Sequence, residues 1–121
     1  MGVTFIEADV PVQHVRLKGS CRNGLGVVDW FSGCSCGWVD GVPRGASQAG
    51  NVWAGHRDGK PEQGGDLVPG LHVRLIGYGE RLHHGRKARV FWVACCCGWN
   101  YGHPGTASRC DRAYDAHVAG C

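Results

Sequence analysis

The chain repeats itself, and that repeat constrains its fold more than any other feature. Val10 to Gly19 (VPVQHVRLKG) and Val68 to Gly77 (VPGLHVRLIG) share seven of ten residues at an offset of 58, with His14 and His72 each followed by Val-Arg-Leu. Cys34 to His56 and Cys95 to His117 then match at an offset of 61, with nine identities in 23 positions. The identities include Cys34/Cys95, Cys36/Cys97, Gly37/Gly98, Trp38/Trp99, Gly41/Gly102 and His56/His117. A duplicated unit is the natural explanation, with copies at 10–57 and 68–121, a polar Gly/Pro linker at 58–67 and an N-terminal extension at 1–9. A length of 121 residues suits two such small units and excludes separate cofactor and substrate lobes.

Within each copy the pattern predicts a β-hairpin followed by a helix. Val15–Lys18 and Val73–Ile76 read as first strands, and Val27–Ser32 and Ala88–Ala94 as second strands. The change of offset means three extra residues between Gly77 and Cys95, expected in the hairpin loop. Ser47 and Ser108 are the expected helix N-caps, with Asp111 completing a capping box in the second copy. Gly50 and Gly55 weaken the first helix, because a helical Gly costs about 1 kcal/mol relative to Ala. The expected class is α+β, with two pseudo-equivalent ββα modules of zinc-finger type.

Composition explains why such modules need help. Ile, Met and Phe together number six, against 21 Gly and eight Cys, so apolar burial is scarce. The first residues carry no basic segment leading into an apolar run, and the longest apolar run is the eight residues Val90–Cys97. A cytosolic protein is expected, with no membrane association. In a reducing compartment, cysteines accompanied by seven histidines favour metal over disulfides.

The residues kept in both copies form a zinc set. His14, Cys34, Cys36 and His56 in one copy, and His72, Cys95, Cys97 and His117 in the other, each supply two nitrogens and two sulfurs to a tetrahedron. Two Zn²⁺ per chain are expected. An antiparallel hairpin brings the first His beside the Cys pair, an extended Cys-x-Cys points both thiols one way, and the helix returns the second His. Trp38 and Trp99 are expected to shield the sites. Cys21, Cys96, Cys110 and Cys121 have no cysteine counterpart; packing is the simplest reading, and Cys96 offers ligand exchange as an alternative. Four filled positions, no repeated carboxylate and no phosphate-loop or nucleophile motif argue against an enzyme.

The Cys-x-Cys-Gly-Trp segments ending in a helical His resemble a zinc-binding motif of small actinobacterial and actinobacteriophage proteins, here in tandem. The resemblance rests on Cys34, Cys36, Gly37, Trp38 and His56 and on Cys95, Cys97, Gly98, Trp99 and His117, and it implies metal binding in the cytoplasm of a bacterial or phage-infected host cell. Two roles remain open. A net charge of +3 permits DNA or RNA binding, with Arg81, His83, His84, Arg86, Lys87 and Arg89 in the longer hairpin as the phosphate-contacting set. The alternative is a module that binds a host or partner protein through Trp53, Trp92 or Tyr101.

Overall fold

A computed structural model describes residues 14–60, 65–101 and 104–120, and only the backbone of Arg81 and His83. The extension 1–9, part of the linker (61–64) and Cys121 lie outside the described residues.

The elements run β1 (Arg16–Arg22), β2 (Val28–Cys34), β3 (Val39–Arg44), α1 (Ala46–Arg57), β4 (Arg74–His83), β5 (Arg86–Cys95) and α2 (Ala107–Ala119). The protein is α+β, and its strands form one antiparallel sheet in the order β3-β2-β1-β4-β5. The two hairpins therefore share a sheet. Gly19 and Gly77, the last identical residues of the first sequence match, explain how the hairpins meet. A Cβ on Gly19 would lie 2.0 Å from the Arg74 carbonyl oxygen, and one on Gly77 would lie 2.2 Å from that of Arg16. Those contacts are reciprocal between equivalent residues, so β1 and β4 cross about an approximate two-fold, with Lys18 opposite Ile76. Only glycine allows two backbones this close.

Each copy also carries more than a hairpin. After the Cys-Gly-Trp turn the first copy forms β3, whose ladder includes Trp30 opposite Arg44 and Gly33 opposite Val39. The second copy keeps the equivalent pairs as two isolated bridges, Phe91 with Gly105 and Ala94 with Asn100. The three extra residues do not enlarge a loop. They lengthen the strands, together with three residues that the shorter turn gives up, so that β4 and β5 are ten residues each against seven for β1 and β2. Closure is by a two-residue turn at His84 (φ 51°) and Gly85 (φ 77°), the left-handed pair that matches strand twist.

Both helices start earlier than their sequences suggest. Gly45 occupies the N-cap of α1 and supplies no side-chain bond, whereas Thr106 caps α2 by accepting from the Arg109 amide at 3.2 Å. Asp111 takes no part in capping and pairs with Arg74 instead. Despite Gly50 and Gly55, α1 continues to Arg57.

One sheet face carries the core of Leu17, Phe31, Val73, Leu75, Trp92, Ala94 and Cys96. On the other face lie the helices, as the Ser32 hydroxyl donating to the Ala49 carbonyl of α1 and the Arg74–Asp111 pair to α2 show. At the end of the linker, Gly65 donates its amide to buried Asp40 at 2.8 Å, and Leu67 packs over Gly41 and Gly98. No helix among the described residues is long and apolar enough to cross a membrane.

Candidate metal centres

Each copy brings its four donors together. One ligand atom each from His14, Cys34, Cys36 and His56 lies within 4.8 Å of every other, and the same holds for His72, Cys95, Cys97 and His117. The pairing of atoms repeats. His14 Nδ1 is 3.1 Å from Cys34 Sγ and His56 Nε2 is 3.2 Å from Cys36 Sγ; the second copy gives 3.3 Å for both His72 Nδ1–Cys95 Sγ and His117 Nε2–Cys97 Sγ.

The local fold explains the convergence. His14 and His72 immediately precede the first strand of each copy, beside the end of the second: Arg16 is opposite Cys34, and Arg74 opposite Cys95. Cys-x-Cys is not extended, as its sequence suggests, but turned. The Gly37 amide donates to the Cys34 carbonyl at 2.9 Å and the Cys34 amide to the Trp38 carbonyl at 2.8 Å, with 2.9 and 2.7 Å in the second copy. Gly37 and Gly98 take φ of 109° and 106°, conformations that a side chain would strain. This knuckle folds the second thiol back toward the helix, whose last turn supplies His56 or His117. A helix C-terminus also favours positive charge.

The residues around the donors repeat as well. Trp38 stacks on His56 and Trp99 on His117, each with ring centroids 4.5 Å apart and planes 10° and 9° off parallel. The indoles therefore fix the ring orientation of one donor in each set, beyond shielding it. Between the two cysteines, Ser35 and Cys96 are equivalent. Ser35 Oγ accepts from the Val15 amide at 2.9 Å, and Cys96 Sγ accepts from the Val73 amide at 3.2 Å and donates to the Leu71 carbonyl at 3.4 Å. Burial pushes the Cys96 thiol up to about 11, so it is held protonated and bound to backbone. Cys110, the counterpart of Ala49, is fully buried on α2, and Cys21 packs beside the core.

The donor chemistry fits a soft-to-borderline dication. Burial holds the His56 and His117 imidazoles below their ordinary value, helped by the facing His14 and His72, which keeps them neutral and available as donors. Burial also pushes the Cys36 and Cys95 thiols up, and the neighbouring Cys34 and Cys97 thiols add to this. Two thiolates at such short range need a cation between them. Around a Zn²⁺ with bonds of about 2.0–2.3 Å, tetrahedral donors lie about 3.5 Å apart, close to the spacings here. The sites differ in exposure: His14 and Cys36 are exposed, whereas no donor of the second set is.

The basic positions lie along the β4–β5 arm. Arg81 and His83 fall on β4, His84 in the turn, and Arg86, Lys87 and Arg89 on β5, the last four exposed. Strand alternation sends Arg86 to one face and Lys87 and Arg89 to the other. Arg89 lies over the Tyr78 ring with its Cζ 4.5 Å from the centroid. Of the aromatic residues suggested as protein anchors, Trp92 is 7% exposed and Trp53 and Tyr101 are half-buried. Sequence reasoning missed the Ser35/Cys96 backbone bracket; its signal was a small polar side chain at the same position in both copies. No protein-family model, curated protein or solved structure matches the chain.

Proposed function

We propose that this chain is a two-zinc protein in which the metal is structural and the role is nucleic-acid binding through the β4–β5 arm. The observation that carries the metal assignment is the pair of complete donor sets, with the same nitrogen facing the same sulfur in each. Four protein donors fill a tetrahedron and leave no position for a substrate or activated water, which supports a non-catalytic role. Each zinc ties the start of the first strand, the knuckle and the helix end, replacing core that the composition does not supply.

Support for nucleic acid comes from the arm. It presents Lys87 beside an Arg89 that stacks on Tyr78, itself 56% exposed, a combination suited to phosphates and base faces. Binding a partner protein through Trp53, Trp92 and Tyr101 is disfavoured because these rings are largely covered.

The test joins metal content to retention on DNA and RNA. Protein purified without added zinc should carry about two zinc ions per chain and lose its fold on chelation. Retention should fall steeply with salt and disappear in R86A/K87A/R89A. Absence of zinc overturns the metal assignment, and retention that ignores salt or the triple substitution overturns the arm.

A further inference from the structure

The two copies differ most sharply behind their first strands. Arg74 in the second copy pairs with Asp111 of α2 and lies over Tyr114, Cζ to ring centroid 6.0 Å. Its counterpart Arg16 faces α1 where Asp111 is replaced by Gly50, and a Cβ there would lie 3.2 Å from Arg16 Nη1. Arg16 Nε is buried and meets no acceptor among the described residues. Trp53, the counterpart of Tyr114, carries a second such buried donor at Nε1.

A cavity of about 370 Å³ opens beside this arginine on the helix-bearing face, lined by Arg16, Lys18, Ile76, Gly77, Tyr78 and Phe91. Lys18 adds a second cation where the other copy has Ile76. Copy two thus holds one cation with its carboxylate. Copy one holds two cations and, among the described residues, no carboxylate paired with either. A guanidinium with no carboxylate partner among the described residues, beside a lysine in the same state, suits an anion, and a carboxylate matches its planar fork. The remaining walls are apolar and aromatic, the usual make-up of a small-molecule pocket with a few orienting charges.

We infer that the first copy binds a small organic acid in this cavity, with its carboxylate on Arg16 and Lys18 and its apolar body against Ile76, Tyr78 and Phe91. The carboxylate gives Arg16 the counter-charge that Asp111 gives Arg74 in the second copy, from the cavity side of the guanidinium and not from α1. This site shares Tyr78 with the proposed nucleic-acid surface but requires neither Arg86 nor Lys87, so R86A/K87A should lower nucleic-acid retention while leaving acid binding unchanged.

Phenylacetate titrated into the zinc-loaded 121-residue chain, followed by NMR of the arginine Nε–H and aromatic signals, tests it. Saturable shifts of Arg16 Nε–H together with Tyr78 and Phe91 are expected. Gly50→Asp supplies the internal carboxylate that the other copy already has, and should weaken binding at least tenfold while keeping both metals and a folded spectrum. Lys18→Ala, on an exposed strand position, should also weaken it and serves if Gly50→Asp does not fold. Inorganic phosphate and benzyl alcohol are the comparison probes. Absence of a saturable shift, equal binding by Gly50→Asp folded protein, or phosphate binding as tightly as phenylacetate would each overturn the proposal.

Discussion

Cys96 stands between two donors of the second set, yet its Sγ is committed to the Val73 amide and the Leu71 carbonyl, as Ser35 Oγ is to the Val15 amide. A hydroxyl does the same work, so Cys96→Ser should retain about two metals per chain and change stability by no more than about 1 kcal/mol. Cys95→Ser removes a donor thiolate and should leave about one metal per chain. Elemental analysis of the two purified variants, with urea denaturation of each, checks this; metal loss in Cys96→Ser would put Cys96 in the coordination sphere. At this scale the sequence was most informative. Each proposed ligand stands at fixed spacing in both copies, as metal chemistry would demand, whereas the bracket around it tolerates Ser or Cys and leaves no identity to find.

The helices show how equal tasks are met with unequal means. Each must hold a His in its last turn against a stacked indole, but only α2 has a side-chain cap, from Thr106, and an ion pair to the sheet, from Asp111 to Arg74. In α1 the cap is Gly45 and, among the described residues, the one side-chain hydrogen bond to the sheet is from the Ser32 hydroxyl to the Ala49 carbonyl, while the helix still continues through Gly50 and Gly55 to Arg57. The Trp38 stack, with the metal that the donor set would hold, would compensate for the missing local bonds. Thr106→Ala should therefore lower the stability of the zinc-bound protein by about 1 kcal/mol, read as a fall in the urea midpoint with unchanged slope. The serine N-caps suggested by sequence lie inside the helices instead. Ser, Thr and Gly are all acceptable caps, and the turn geometry decides which one is used.

Across the whole molecule, the join between copies is made by two backbones rather than by a linker. Gly19 and Gly77 let β1 and β4 approach, which turns two hairpins into one five-stranded sheet and encloses a core to which both contribute. Gly19→Ala forces a methyl into the Arg74 carbonyl and should cost about 1–3 kcal/mol, as should Gly77→Ala against Arg16. Because the sheet is continuous, unfolding of the zinc-bound protein should be one cooperative transition by both circular dichroism and tryptophan fluorescence. Two separate transitions would mean that the copies fold independently.

What the sequence determined by itself was local and chemical: the duplication, the eight donors, the hairpin-then-helix order and the glycine under each knuckle. All of these rest on spacing along the chain, and a diverging repeat preserves spacing wherever a metal needs it. The β1–β4 pairing, the third strand of the first copy and the lengthened second hairpin were decided only by tertiary structure. They depend on contacts between residues far apart in sequence, where the one written clue was a glycine ending each ten-residue match. The Arg16 cavity was decided there too. Its arginine faces Gly50 where the other copy places Asp111, a difference that acquires meaning only once each residue is seen to face its arginine.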